Sequence, residues 1–243
     1  MCVEELIESM DQNEIDKSVI CGFSWNEESL CKEGNDYIVE SLTRFPKRLL
    51  GLISICPKNS DDAASEIERC MQKGVIGVGE IRLPQKSLDT TIATLWTPIA
   101  NFLVRNGLLC LLHSSEPIGH LYPGKGNTTP KQLFKFLSAF PSLKTILAHW
   151  GGGLPFYALM PEVKNLLAHT WVDCAATQFL YDDKVFRHVS ELIGCDKLLF
   201  GSDYPLISQK QALATIKSLD LDESIKHIIV GGNAEKLINT LGK

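Results

Sequence analysis

Two histidines and one aspartate stand where apolar segments of the sequence end. His113 closes LLH, His149 closes LAH and Asp203 closes FGSD. Burying an imidazole or a carboxylate without a partner is costly, so a cluster of such groups suggests a shared ligand. Two imidazoles and a carboxylate suit a divalent transition metal and leave positions for water and substrate. These residue types favour a metal site, with hydrogen-bonded core histidines as the alternative.

Further polar residues near the same segment ends are candidates for substrate binding. Glu80, within GVGEIR, is either another polar group of the site or a partner of Arg82. His120 and Lys125 lie in a long loop, and the sequence is equally consistent with a substrate contact and with a solvated surface position. Arg82, His120 or Lys125 would hold a substrate carboxylate through charge-assisted hydrogen bonds. Trp150 completes this predicted substrate-binding set.

Seven short runs rich in valine, isoleucine and leucine are expected to position these groups. Such runs are typical of strands buried on both faces. Helical periodicity separates them, as in residues 92–103, and Thr129 with Pro130 is typical of a helix start. Asp173, inside the sixth run, fits a structural hydrogen bond better than a ligand. The seven runs are Lys17–Phe23, Leu49–Cys56, Val75–Leu83, Gly107–His113, Leu143–Trp150, Thr170–Ala176 and Lys197–Asp203.

The spacing of the runs indicates the fold class. Their centres lie about 30 residues apart, the size of one strand–helix unit, and this alternation predicts a parallel sheet. We favour an α/β barrel of TIM type over an open doubly wound sheet, because no glycine-rich dinucleotide-binding turn follows the early strands. Closure normally takes eight strands, so we expect the usual first strand before Met1, with His227–Val230 as the weaker candidate. We predict one domain over residues 1–243.

Composition excludes several classes of protein. The 243 residues are 44% hydrophobic and 22% charged, as in a soluble globular enzyme, and the net charge of -5 does not attract nucleic acid. No apolar run reaches the ~18 residues that span a bilayer, and the acidic first dozen residues differ from a secretory signal. Eight scattered cysteines fit buried thiols in a reducing cytosol. We therefore expect a cytoplasmic protein with a small-molecule substrate.

Four blocks of sequence carry a resemblance to a known family. They resemble the amidohydrolase-related branch of the metal-dependent TIM-barrel hydrolases, which also contains aminocarboxymuconate-semialdehyde decarboxylase. The similarity extends over essentially the whole chain. The blocks are HSSEPIGHLYPGKGNTTP (His113–Pro130), LAHWGGGLPFYALMPEV (Leu147–Val163), LLFGSDYPL (Leu198–Leu206) and GGNAEKLI (Gly231–Ile238).

The resemblance implies a divalent metal, usually zinc, and roles for three residues. His113 and Asp203 would be ligands, and His149 would be a ligand or would orient a water molecule. Asp203 would also accept a proton. The family places an HxH pair at the end of its first strand, and this sequence contains none.

The leading functional hypothesis is a metal-dependent hydrolase that uses a metal-activated water on a small anionic substrate. The same site supports non-oxidative decarboxylation of a small carboxylic acid, and the sequence does not separate the two reactions. A third hypothesis is a non-catalytic barrel that has lost its HxH strand and binds a metabolite or a partner. Its unpaired sheet edges would be covered by another chain, so a homo-oligomer is possible.

Overall fold

A parallel sheet forms the centre of the fold. The computed structural model describes residues 2–23, 25–56, 60–83, 88–122 and 124–242. Within these residues, seven strands are hydrogen bonded in the order in which they occur along the chain, which confirms the predicted α/β class. The strands are β1 (Ser18–Cys21), β2 (Leu49–Ile53), β3 (Val75–Ile81), β4 (Leu109–Leu112), β5 (Thr145–Leu147), β6 (Thr170–Asp173) and β7 (Leu198–Leu199).

Helices occupy the connections between the strands. Single π-helical turns cover Ile92–Trp96 and Ile228–Gly232, and 3₁₀ segments cover His149–Tyr157, Leu167–His169 and Cys195–Lys197. The α-helices of the described residues are α1 (Val3–Gln12), α2 (Glu28–Arg44), α3 (Ser60–Met71), α4 (Leu88–Thr91), α5 (Thr97–Arg105), α6 (Pro130–Ala139), α7 (Pro161–Leu166), α8 (Thr177–Leu180), α9 (Lys184–Ile193), α10 (Gln209–Ser218), α11 (Glu223–His227) and α12 (Asn233–Ile238).

Local sequence signals explain where helix α6 begins. Thr129 has extended backbone angles and is the N-cap residue, and Pro130 is the first helical residue, as predicted. The Gln132 side chain accepts a hydrogen bond from the Thr129 amide at 3.2 Å, which is one half of a capping box at the start of the helix. The buried side chains of α6 include Leu133 and Phe136.

The chain separates into two compact units. The first contains residues 1–113, 142–145 and 241–243, and the second contains residues 114–141 and 146–240. The prediction of one domain over residues 1–243 therefore stays a prediction.

Each unit contains a buried side-chain contact between segments that lie apart in the chain. In the first, the fully buried Asn35 amide donates to the carbonyl of Ser54 and accepts from the Ser54 amide, both at 2.9 Å, which fixes α2 to the end of β2. In the second, the buried rings of Trp150 and Phe186 pack edge to face with centroids 4.8 Å apart.

Two details differ from the sequence predictions. Strand β1 is not buried on both faces, because it lies at one edge of the seven-stranded sheet, and Val19 and Cys21 are exposed. Residues His227–Val230 do not form a strand, since α11 ends at His227 and a π-helical turn follows it. Among the residues that the structure describes, no helix combines the length and apolar character needed to cross a bilayer.

Replacement of two glycines by alanine should change stability in opposite directions. Gly77 pairs with Leu109 in the β3–β4 ladder, and an added Cβ would overlap the Leu109 carbonyl. Gly77→Ala should therefore lower the free energy of unfolding by about 1–3 kcal/mol. Gly34 lies inside α2, where an added Cβ would meet no atom of the described residues within 4 Å beyond its own stretch of helix, so Gly34→Ala should raise the free energy of unfolding by about 0.5–1 kcal/mol. Urea denaturation tests both variants, and a stability of Gly77→Ala equal to that of the wild type would contradict the close approach of β3 and β4.

Candidate functional site

The first unit contributes an imidazole held by a carboxylate. The His113 amide donates to the Ile81 carbonyl at 2.8 Å, so His113 continues the β3–β4 ladder beyond β4. Its Nδ1 atom lies 2.6 Å from Oε1 of Glu80, and the two side chains are 5% and 23% exposed. Since a carboxylate only accepts, Nδ1 carries the hydrogen in this contact, and a metal would bind His113 through Nε2.

This contact bears on the two alternatives for Glu80. The structure joins the Glu80 carboxylate to His113, while the Arg82 residue is exposed. Glu80 is the next-to-last residue of β3 and His113 directly follows β4, and these adjacent parallel strands are in a register that places Ile81 opposite Leu112. That shared position is the signal by which the sequence could have paired them.

The second unit contributes an imidazole beside a carboxylate. His149 Nε2 lies 3.7 Å from Oδ2 of Asp203, with side chains 12% and 40% exposed. His149 Nδ1 lies 3.4 Å from the carbonyl oxygen of Ser114, which can only accept a hydrogen bond. The ring is thereby turned so that Nε2 faces the Asp203 carboxylate.

The backbone at this second pair adopts an uncommon conformation. His149 follows β5 and Asp203 follows β7, and both have φ of 53°. Left-handed angles are rare outside glycine, although histidine and aspartate adopt them more often than most residues. Such a conformation costs of order 1–3 kcal/mol and persists where the surroundings hold it.

Asp173 helps to hold the backbone of His149 in this conformation. Its Oδ1 atom accepts hydrogen bonds from the His149 amide at 2.9 Å and from the Ala175 amide at 3.0 Å. This is the structural hydrogen bond that the sequence favoured for Asp173, and it links the end of β6 to the turn that carries His149. The carboxylate therefore acts on the site through the main chain.

The predicted substrate residues of the second unit have varied surroundings. Lys125 Nζ donates to the carbonyls of Ile118 at 2.9 Å and His120 at 3.0 Å. The His120 residue is exposed, and its ring lies 5.6 Å from that of Tyr122. Trp150 is fully buried, and its indole N–H donates to Thr177 at 2.9 Å, so we assign Trp150 to the core.

The sequence did not indicate a carboxyl–phenol cluster that follows β4. Tyr122 donates to Glu116 Oε2 at 3.3 Å. Burial raises the pKa of the Tyr181 phenol, and the charge of Glu116 raises it further, so Tyr181 keeps its proton at neutral pH. Sequence spacing could not predict this contact, because Glu116 and Tyr181 lie 65 residues apart in the chain.

The fold and these pairs define a class of protein, an α/β protein of TIM-barrel type with imidazoles and carboxylates after its strands. Residues 20–240 match the sequence model of one protein family, amidohydrolase. The chain belongs to the amidohydrolase family.

Three proteins illustrate what the chain is similar to. The chain is 23% identical over 239 residues to 2-amino-3-carboxymuconate-6-semialdehyde decarboxylase of Dictyostelium discoideum, across 82% of this chain and 64% of the relative. It is 22% identical over 245 residues to gamma-resorcylate decarboxylase of a Polaromonas species, across 85% and 75%. The crystal structure of 5-carboxyvanillate decarboxylase from Novosphingobium aromaticivorans has a TM-score of 0.77 and 16% identity, across 97% and 79%.

These relatives confirm the resemblance and bear on two expectations. All three are named as decarboxylases, so they support the decarboxylase alternative better than the hydrolase hypothesis. The 5-carboxyvanillate decarboxylase is in complex with manganese and 4-hydroxy-3-methoxy-5-nitrobenzoic acid, whereas zinc is the metal that the sequence resemblance led us to expect. The chain spans 64% of the length of the Dictyostelium relative.

Replacement of Asp173 tests its role as the acceptor for two amides. Asp173→Ala leaves both amides without this acceptor and should lower the free energy of unfolding by about 1–3 kcal/mol. Asp173→Asn retains a carbonyl oxygen and should lose less than half as much. Urea denaturation of both variants measures the difference, and equal losses would show that the two amide hydrogen bonds do not carry the effect.

Proposed function

We propose that this chain is a metal-dependent, non-oxidative decarboxylase of a small aromatic carboxylic acid. The observation that carries the proposal is the orientation of two strand-end imidazoles, His113 by Glu80 and His149 by Ser114. The names of the relatives support decarboxylation over hydrolysis.

The donor chemistry fits a divalent cation. Glu80, His113 and His149 each offer an oxygen or nitrogen ligand atom, and Asp203 offers another carboxylate. We propose that His113, His149 and Asp203 bind one cation, with Glu80 orienting His113. Nitrogen and oxygen donors suit manganese as well as zinc, and manganese is the metal of the solved relative. The bound cation would supply Lewis-acid polarisation of the substrate.

The reaction requires a proton at the carbon that loses its carboxylate. The bond between that carbon and the carboxylate breaks, the carbon keeps the electron pair and then takes a proton, and carbon dioxide leaves. We assign this proton to Asp203, because one oxygen of its carboxylate can bind the cation while the other carries the proton; His149 lies beside it, with Nε2 3.7 Å from Oδ2.

A cationic side chain is needed to orient the substrate. Lys125 already donates to two main-chain carbonyls, whereas the exposed Arg82 presents a planar guanidinium that matches a carboxylate with two parallel hydrogen bonds. Arg82 is therefore the residue we propose for binding the carboxylate, with His120 as the secondary candidate.

Release of carbon dioxide tests the proposed reaction. Manganese-loaded protein should release it from at least one member of a panel of phenolic carboxylic acids. Asp203→Asn should lower kcat/KM at least 100-fold because it removes the proton carrier. Asp220→Asn is the matched control, since the Asp220 side chain is fully exposed, and it should retain activity. Cleavage of lactones or amides with no release of carbon dioxide would restore the hydrolase hypothesis.

Metal content tests the ligand assignment separately. Wild-type protein dialysed against manganese and then buffer should retain roughly one ion per chain, and His113→Ala combined with Asp203→Ala should lower affinity at least tenfold. His188→Ala is the control, because the His188 side chain is 58% exposed on α9. Equal manganese in the double variant and the wild type would eliminate the proposed ligands.

A further inference from the structure

A pocket of about 190 Å³ in the first unit is lined by two cysteines. Cys31 lies in the first turn of α2, and Cys56 lies just beyond the end of β2. Both thiols are free. None of the proposed ligands or substrate residues lines this pocket, so its chemistry is independent of the proposed function.

The hydrogen bonds between Asn35 of α2 and Ser54 after β2 place the two cysteines on the same side of that contact. Asn35 is bonded in both directions to the main chain of Ser54. Cys31 lies four residues before Asn35, on the same helix face and about 6 Å along the axis. Cys56 lies two residues beyond Ser54, at most about 7 Å further along the chain that continues β2. Because α2 leads back into β2, the helix and strand run in opposite directions, so both displacements point the same way.

Hydrogen bonds bring both thiols to one short segment of chain. Cys31 Sγ donates to the Trp25 carbonyl at 3.5 Å, and Cys56 Sγ donates to the adjacent Asn26 carbonyl at 3.4 Å. Burial raises the pKa of the Cys31 thiol, and the neighbouring charge of Cys56 raises it further, as expected for two thiols close together.

The two sulfurs are the soft donors of this pocket, because its charged side chains offer only oxygen or nitrogen atoms. Glu66 pairs with Arg69 at 2.8 Å and accepts from Asn35 at 2.9 Å. Burial alone would raise the pKa of Glu66, but these hydrogen bonds outweigh it and lower the pKa. Glu66 therefore stays charged and is neutralised by Arg69, while Glu28 adds a carboxylate at the wall.

We propose that Cys31 and Cys56 form a two-thiol site for a soft divalent cation of the zinc and cadmium class. Thiolate sulfur is the donor that such cations prefer. On binding, two S–H bonds are replaced by two metal–sulfur bonds, and two protons pass to the solvent. No oxidation or reduction takes place.

Cadmium titration of the full chain tests the site, because cadmium bound to thiolate gives a charge-transfer band in the ultraviolet. The band should appear in the wild type and saturate. Cys31→Ser and Cys56→Ser should each lower cadmium affinity at least tenfold and remove most of the band. Cys195→Ser is the matched control, since Cys195 is partly exposed like Cys56, and it should titrate as the wild type does. Imidazole and carboxylate ligands give no thiolate band, so failure here is distinct from failure of the proposed decarboxylase.

A second measurement avoids dependence on the folding of the variants. Phenylarsine oxide condenses with two neighbouring thiols, forming two arsenic–sulfur bonds and one water molecule. Peptide mapping of the treated wild-type protein should find the arsenic bridging Cys31 and Cys56. A bridge between other cysteines, no bridge, or an unchanged cadmium band in either serine variant would overturn the proposal.

Discussion

The contact between the Glu80 carboxylate and Nδ1 of His113, 2.6 Å long, determines which ring nitrogen at the end of β4 can bind a metal. The contact fixes the hydrogen on one ring nitrogen and the plane of the ring, and it leaves the ligand role to the other nitrogen. His149 is constrained in the same way by the Ser114 carbonyl. Both imidazoles are therefore oriented by acceptors of the protein itself, each within its own unit.

The second unit maintains its part of the site through the main chain. His149 and Asp203 both have left-handed backbone angles a few residues past the ends of β5 and β7. Asp173 accepts from the amide of His149, so the neighbouring strand stabilises a turn that the local sequence alone would not favour. Residues in sparsely populated conformations concentrate at functional sites, where the surrounding structure compensates for their cost. The placement of both residues after parallel strands agrees with this general pattern.

Sequence patterns predicted the elements better than the contacts between them. Thr129 and Pro130 mark the start of α6 because capping depends on neighbouring residues only. The half-exposed β1 was missed because apolar composition does not show which strand lies at the edge of a sheet. The pairing of Glu80 with His113 and the burial of Trp150 depend on register and packing between distant segments. A motif gives the residue types of a site, whereas their orientation comes from tertiary contacts.

Anomalous diffraction from crystals grown with manganese tests the central claim most directly. The proposal predicts one strong peak, with His113 Nε2, a nitrogen of His149 and an oxygen of Asp203 each about 2.0–2.2 Å away. It also predicts that Glu80 remains hydrogen bonded to Nδ1 of His113. A fully loaded crystal with the ion elsewhere, or with these side chains turned away from it, would contradict the account.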